Sequence, residues 1–262
     1  MGGLTGKRVL VTRAREDQEE LAALLVAREA EPVALPCIEL AEPLDRIPLQ
    51  NALQSLREGK RTDFLVLASP HAADRFLSRI DPAHLSGVRI AAVGAATARR
   101  IEERGLQAIA PSRGASAEAL LSLLAAQVRD KQVLVPRAEG GNPALVEGLE
   151  RAGARVTAVT LYRTVPATSV DPQGARLLRS GRVDGIAFAS GSAARGFAAL
   201  FGDEAAALAA RTTVACMGKT CAADARAVGL RVDAVADGGV PELVEALESA
   251  ISRIGSRGSE TR

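Results

Sequence analysis

Lys7-Arg8-Val9-Leu10-Val11-Thr12-Arg13 returns 124 residues later as Lys131-Gln132-Val133-Leu134-Val135-Pro136-Arg137. The same offset carries Gly94-Ala95-Ala96-Thr97, with Gly105 further on, into Gly218-Lys219-Thr220-Cys221 with Gly229. Between these markers, Leu65-Val66-Leu67-Ala68-Ser69 leading to Phe76 recurs as Ile186-Ala187-Phe188-Ala189-Ser190 leading to Phe197, at an offset of 121. Ordered matches with a small slip mark a duplicated unit. Two similar units make a cleft between them, and such a cleft is the first place to expect a site.

Working outward, short apolar runs alternate with longer helical patterns along the whole chain. Strands are predicted at Arg8–Thr12, Pro32–Leu35, Phe64–Ala68, Ile90–Val93, Ala108–Ile109, Val133–Val135, Val156–Thr160, Gly185–Ala189, Thr213–Met217 and Val232–Val235. These runs are β-branched and lack polar alternation, as in strands buried on both faces of a parallel sheet. Helices are predicted at Gln18–Arg28, Thr97–Glu103, Ala117–Val128, Ala144–Arg151 and Pro241–Ile251, with Gly105, Gly153 and Gly229 as C-terminal caps. Five strands per unit match a doubly wound, flavodoxin-like sheet. The tail from Ser252 to Arg262 is polar and rich in Gly and Ser, and is expected to fray.

Domain boundaries are less direct. A simple tandem would cut near Asp130, whereas the proline-bearing stretches Pro36–Pro48 and Tyr162–Pro172 follow equivalent strands and read as two loops crossing between domains. Strand counting alone leaves both layouts open.

Composition removes several function classes. The 262 residues suit two domains, with 47% hydrophobic and 24% charged residues, as in ordinary globular proteins. A net charge of +2 and an aromatic content of 2% argue against nucleic-acid binding by a basic surface or by base stacking. Three cysteines without ligand spacing and only two histidines argue against zinc. With no signal-peptide pattern and no apolar run long enough to span a bilayer, the expectation is a cytoplasmic protein, without membrane association and monomeric by default. Cys37 and Cys216 read as small core residues, and Cys221 as a helix residue.

Gly218-Lys219-Thr220 suggests a phosphate loop, but Thr213 stands where the earlier Walker glycine is required. Hydrolase-elbow, zincin and dinucleotide motifs are missing in any strand-linked position. The remaining chemistry lies in polar residues near strand C-termini: Arg13, Ser69, Thr97, Arg137, Ser190, Ser192, Lys219 and Thr220, with the Thr12 hydroxyl beside Arg13. Open α/β sheets bind ligands at that edge, where helix N-termini present N–H groups to anions. Each Ser or Thr taken singly also reads as a helix cap. His71 reads as an exposed first-turn residue. Tyr162, the single tyrosine, is open between a ring packed on the crossing and a functional hydroxyl.

Taken together, Val9–Arg13, Ala68-Ser69 with Phe76, Ala91-Ala92-Val93-Gly94 with Thr97, Leu161-Tyr162-Arg163-Thr164, Phe188-Ala189-Ser190 with Phe197, and Gly218–Thr220 with Gly229 resemble the uroporphyrinogen-III synthase family from Arg8 to about Leu247. The resemblance implies two flavodoxin-like domains joined by a two-stranded linker, 1–37 with 166–262 and 38–165. It implies cyclisation of hydroxymethylbilane to uroporphyrinogen III with loss of water and inversion of the last pyrrole ring through a spiro intermediate. No cofactor or metal is implied. Tyr162 matches the family tyrosine proposed as general acid. Arg13, Arg137 and Lys219 would meet substrate carboxylates, with the Ser and Thr residues beside them. Two departures are visible: Gly238-Gly239-Val240-Pro241 stands where many members carry a threonine, and Cys221 replaces the second hydroxyl of a Thr-Thr pair. The alternative is a non-catalytic two-domain sensor that closes on an anion or a tetrapyrrole.

Overall fold

The computed structural model describes residues 3–112, 114 and 116–259. In chain order its elements begin β1 (Arg8–Val11), α1 (Glu19–Val26), β2 (Glu31–Ala34), β3 (Ile38–Ala41), α2 (Ile47–Arg57), β4 (Phe64–Leu67), α3 (Pro70–Leu77), β5 (Arg89–Ala92), α4 (Ala95–Glu102), β6 (Ala108–Ile109) and α5 (Ala117–Leu124). They continue β7 (Gln132–Ala138), α6 (Ala144–Arg151), β8 (Arg155–Pro166), α7 (Pro172–Arg179), β9 (Gly185–Phe188), α8 (Gly191–Phe201), α9 (Ala205–Ala210), β10 (Thr213–Met217), α10 (Gly218–Ala227), β11 (Ala234–Ala236) and α11 (Val240–Ser259).

The chain divides into two compact units, residues 1–40 with 164–262 (unit 1) and residues 41–163 (unit 2). The divisions fall inside β3 and inside β8. The sheet of unit 1 runs β11-β10-β9-β1-β2, and the other sheet runs β3-β8-β7-β4-β5-β6. The pairings of β1, β2, β9, β10 and β11, and those among β4 to β8, are parallel. Renumbered within unit 1 the order is 2-1-3-4-5, the flavodoxin-like order. The order β8-β7-β4-β5-β6 is the same pattern once β7 and β8 are taken as its first two strands. Each sheet therefore draws its first two strands from one copy of the repeat and its last three from the other.

The exchange is visible atom by atom. Arg8 N donates to Asp184 Oδ2 at 2.9 Å, and Lys7 Nζ lies 3.0 Å from Asp184 Oδ1. In unit 2, Gln132 N donates to Asp63 Oδ2 at 2.8 Å, and Lys131 Nζ lies 3.9 Å from Asp63 Oδ1. Asp63 and Asp184 are the same residue of the repeat, each stapling the start of a strand supplied by the other copy. The Gln132 N–H, then Arg61, hold the Asp63 carboxyl below the usual carboxylate range against an opposing desolvation cost. A depressed native value gives stability that is present above the unfolded carboxylate range and lost as pH falls through the native value. Asp63→Ala is expected to cost about 1 kcal/mol near neutrality by leaving the Gln132 N–H without its acceptor. The difference in denaturation midpoint from the parent should shrink in acid.

Alternating strand residues build a core on each face of the sheet. In unit 1, Leu10, Ile186, Phe188, Val214 and Cys216 pack with α7, α8, α9 and α10, while Val9, Val11, Ala187 and Ala215 pack with α1 and α11. In unit 2, Phe64, Val66, Val133 and Val135 meet Leu120 and Leu124 of α5 and Leu145 and Leu149 of α6. Leu65, Leu67 and Leu134 point the other way and are equally buried. Full burial of a leucine side chain contributes roughly 1.5–3 kcal/mol, so these faces fix the strand register. All three cysteines are free and buried, Cys37 and Cys216 as their core reading required and Cys221 within α10, and burial pushes the Cys37 thiol up.

Three features differ from expectation. The stretches read as crossing loops contain β3 and the long end of β8, whose flanking prolines and polar residues mask a strand pattern. The Thr12 hydroxyl is buried and donates to Ala187 O at 2.8 Å, so it ties β1 to β9 and is not presented to a ligand. Helix α11 continues to Ser259, past Ile251 where it was expected to end, and residues 260–262 of the tail lie outside the described residues.

Candidate active site

The C-terminal ends of β4, β5, β7 and β8 open onto a cavity of about 330 Å³ in unit 2, lined among others by Ser69, Val93, Val135, Arg137, Asn142, Leu145, Val146 and Tyr162. Its walls are mostly apolar, and its polar groups converge from four different segments. Ser69 ends the β4–α3 turn in extended conformation and caps α3, its Oγ accepting from Ala72 N at 3.1 Å. Asn142 Oδ1 accepts from Ala144 N at 2.9 Å at the start of α6, and Ala117 brings the first residue of α5 to the same wall. Three helix N-termini, those of α3, α5 and α6, thus reach this cavity and favour negative charge there.

Arg137 lies inside β7 rather than in the loop after it, because β7 runs on to Ala138. Its Nη2 donates to Gly141 O, which holds the guanidinium along the cavity rim. Tyr162 owes its place to a bulge. Arg137 pairs with Thr160 and Ala138 with Tyr162, so Leu161 is an extra residue of β8. The bulge breaks alternation: Leu161 and Tyr162 are both buried, with Tyr162 9% exposed. Glu139 N donates to Tyr162 O at 2.8 Å, which fixes the strand at that point. On the ring itself lies Arg75 of α3, its Cζ 5.6 Å from the ring centroid.

Ser69, Arg137 and Tyr162 are therefore brought together. Thr97 belongs to the same unit, in the first turn of α4 and 2% exposed, but it is not among the residues lining the cavity. Arg13, Ser190, Ser192, Lys219 and Thr220 lie in unit 1. Ser190 caps α8, accepting from Ala193 N at 3.2 Å, and Ser192 Oγ accepts from Arg195 Nη2 at 3.3 Å. Lys219 and Thr220 are exposed at the start of α10. Arg13 faces carboxylates, with Asp17 at 3.6 Å and Glu20 at 3.9 Å. His71 is half-buried rather than exposed. Arg75 and Asn142 escaped the sequence reading. Arg75 sits six residues after Ser69, inside α3, where no strand-end rule selects it, and Asn142 lies in a Gly-rich loop with no distinguishing pattern.

A sequence model of the uroporphyrinogen-III synthase HemD family matches residues 19–242, most of the chain. The chain belongs to the uroporphyrinogen-III synthase family. A uroporphyrinogen-III synthase from Synechococcus elongatus is 29% identical over 202 residues, covering 75% of each chain. A chloroplastic uroporphyrinogen-III synthase from Oryza sativa is 29% identical over 259 residues, covering 92% of this chain and 81% of that one. Among solved structures, a uroporphyrinogen-III synthetase from Helicobacter pylori aligns at a TM-score of 0.60 and 17% identity, over 95% of this chain and all of that one. A uroporphyrinogen III synthase mutant from Thermus thermophilus aligns at 0.53 and 19% identity, over 95% and 100% of the two chains. These two carry the fold, two α/β domains with parallel sheets. As a uroporphyrinogen-III synthase family member the chain is a cyclising lyase of haem biosynthesis. Among the described residues no helix is long and apolar enough to cross a membrane.

Proposed function

We propose that this chain closes hydroxymethylbilane into uroporphyrinogen III with Tyr162 as the general acid that helps the terminal hydroxyl leave. The observation that carries the assignment of Tyr162 is its position. The only tyrosine of the chain lines the same cavity as Ser69 and Arg137, at the end of a bulged strand. The electron-rich pyrrole stabilises the cation left by departing water, so the protein's task is largely to fold the chain and steer closure through the spiro intermediate. A positioned acid adds to that. The apolar wall of Val93, Val135, Leu145 and Val146 suits a pyrrole ring, and the polar rim suits its acetate and propionate arms.

Carboxylate contacts are assigned to Arg137 and Ser69 here, and to Arg13, Ser190, Ser192, Lys219 and Thr220 at the corresponding strand ends of unit 1. Thr97, buried in the first turn of α4 and away from the cavity lining, is not assigned one. Arg137→Ala is expected to raise KM about 10- to 100-fold at low salt, the range for a hydrogen bond to a charged group, with a smaller change in kcat. Unchanged affinity would remove Arg137 from the substrate contacts. The layout 1–37 with 166–262 and 38–165 is proposed as the pair of substrate-binding domains. The enzyme is taken to act in the cytoplasm as a monomer, on a small-molecule substrate, without cofactor, nucleic acid or membrane partner. A non-catalytic sensor is not favoured, because the family model and both relatives quoted above are named as the synthase.

The deciding experiment generates hydroxymethylbilane in situ, adds the protein, then oxidises and separates the uroporphyrin isomers. Isomer III is the expected product. Isomer I alone, the product of spontaneous closure, from folded protein would overturn the assignment.

A further inference from the structure

The duplication supplies an internal comparison at the Tyr162 ring. By the repeat offsets, Arg75 of α3 corresponds to Gly196 of α8, since Ser69 and Phe76 correspond to Ser190 and Phe197. Tyr162 of β8 corresponds to Ile38, 124 residues earlier. The same helix position meets the same strand position in both units: Arg75 lies over Tyr162, and a Cβ at Gly196 would stand 3.3 Å from Ile38 Cγ2. Cation and phenol are thus present together in unit 2 and absent together in unit 1. In unit 1 the Cys37 backbone leaves no room for a side chain at this helix position and the strand position is an isoleucine, so the cation–ring contact is particular to the unit whose cavity holds Tyr162.

Tyr162 lines the cavity, whereas Arg75 is not among its lining residues, so the guanidinium supports the ring without occupying space a substrate would fill. A guanidinium within about 6 Å of a ring centroid is attracted to the ring face, and the planar group stacks where an ammonium does so less well. We propose that Arg75 is a positioning residue for Tyr162, holding the phenol ring at the cavity wall and offsetting the negative charge it takes up as its hydroxyl yields a proton. The proposal rests on Tyr162 being the general acid.

Its test is a kinetic cycle on the full-length protein with Arg75→Met, Arg75→Lys, Tyr162→Phe and the double variant Arg75→Met/Tyr162→Phe. Arg75→Met is expected to lower kcat about tenfold with KM little changed, the scale of one partly buried cation–ring contact. Arg75→Lys, which keeps the charge but not the planar stack, should recover only part of the loss. In the Tyr162→Phe background, Arg75→Met should cost nothing further, because its effect passes through the missing hydroxyl. The chain has one Tyr and no Trp, so the tyrosine band of the near-ultraviolet circular dichroism reports Tyr162 alone, and it should weaken in Arg75→Met. Arg75→Gln runs through the same comparison, so the result does not depend on one variant folding. Wild-type kcat in folded Arg75→Met or Arg75→Gln, with Tyr162→Phe slow, would overturn the proposal and leave the general acid in place. A raised KM with unchanged kcat, or a loss that multiplies with that of Tyr162→Phe, would also overturn it and make Arg75 a carboxylate contact. Full activity in Tyr162→Phe would remove the acid and the proposal together.

Discussion

Tyr162→Phe is expected to slow formation of uroporphyrinogen III by about 10²–10⁴-fold, the usual contribution of one positioned general acid. Phenylalanine keeps the ring, its place at the bulge and its attraction to Arg75, so what is lost is the hydroxyl. KM should move little, because an interaction made as the proton is transferred lowers kcat and kcat/KM alike. Activity should not vanish, since the cavity still orients a substrate whose own pyrrole drives departure of water. Slower enzymatic closure leaves more time for spontaneous closure, so the oxidised product should shift from isomer III towards isomer I. Far-ultraviolet circular dichroism should be unchanged. A folded variant with full turnover and pure isomer III would remove Tyr162 from the mechanism.

What the sequence discloses here depends on how local each signal is. Strands such as Phe64–Leu67 and Gly185–Phe188 are buried at every residue, so continuous apolar runs located them to within a residue. Helices α4, α6 and α10 are followed by Gly105, Gly153 and Gly229, all at positive φ, and their ends were legible for that reason. Helix α1 has no such marker: Glu29 takes φ +60° where its repeat counterpart is Gly153. Strand β3 was hidden because Glu39 and the prolines at 36 and 43 resemble loop composition, and a strand on a sheet edge needs no apolar face pair. At the candidate site, Ser69 stood out by its recurrence as Ser190, and Tyr162 as the single tyrosine, at the crossing and matching the family's tyrosine. The bulge at Leu161 and the approach of Arg75 arise from pairing between segments far apart in sequence, which no local pattern encodes.

Gly196→Ala is expected to destabilise the protein by about 3 kcal/mol, at the upper end of the range for overpacking. An exposed helix position would respond the other way, since alanine exceeds glycine in helix propensity by about 1 kcal/mol. Gly196 is buried in α8, and a Cβ there would stand 1.9 Å from Cys37 O and 2.9 Å from Cys37 C. Both are backbone atoms and cannot rotate away. The Cys37 carbonyl also accepts from Ala167 N at 3.0 Å, so displacing it strains the segments flanking β3 and β8. Gly148 of α6 provides the contrast: its Cβ would meet Leu121 Cδ1 at 2.3 Å, the tip of a side chain that can repack, so Gly148→Ala should cost clearly less. Denaturant midpoints followed by far-ultraviolet circular dichroism distinguish the two. A Gly196→Ala protein as stable as the parent would mean that α8 does not approach the Cys37 backbone as closely as described. The ordering expected from the contacts is a large loss at Gly196 and a small one at Gly148. In one copy of the repeat this helix position has given up its side chain so that backbone can pass, and in the other it carries the arginine that lies on Tyr162.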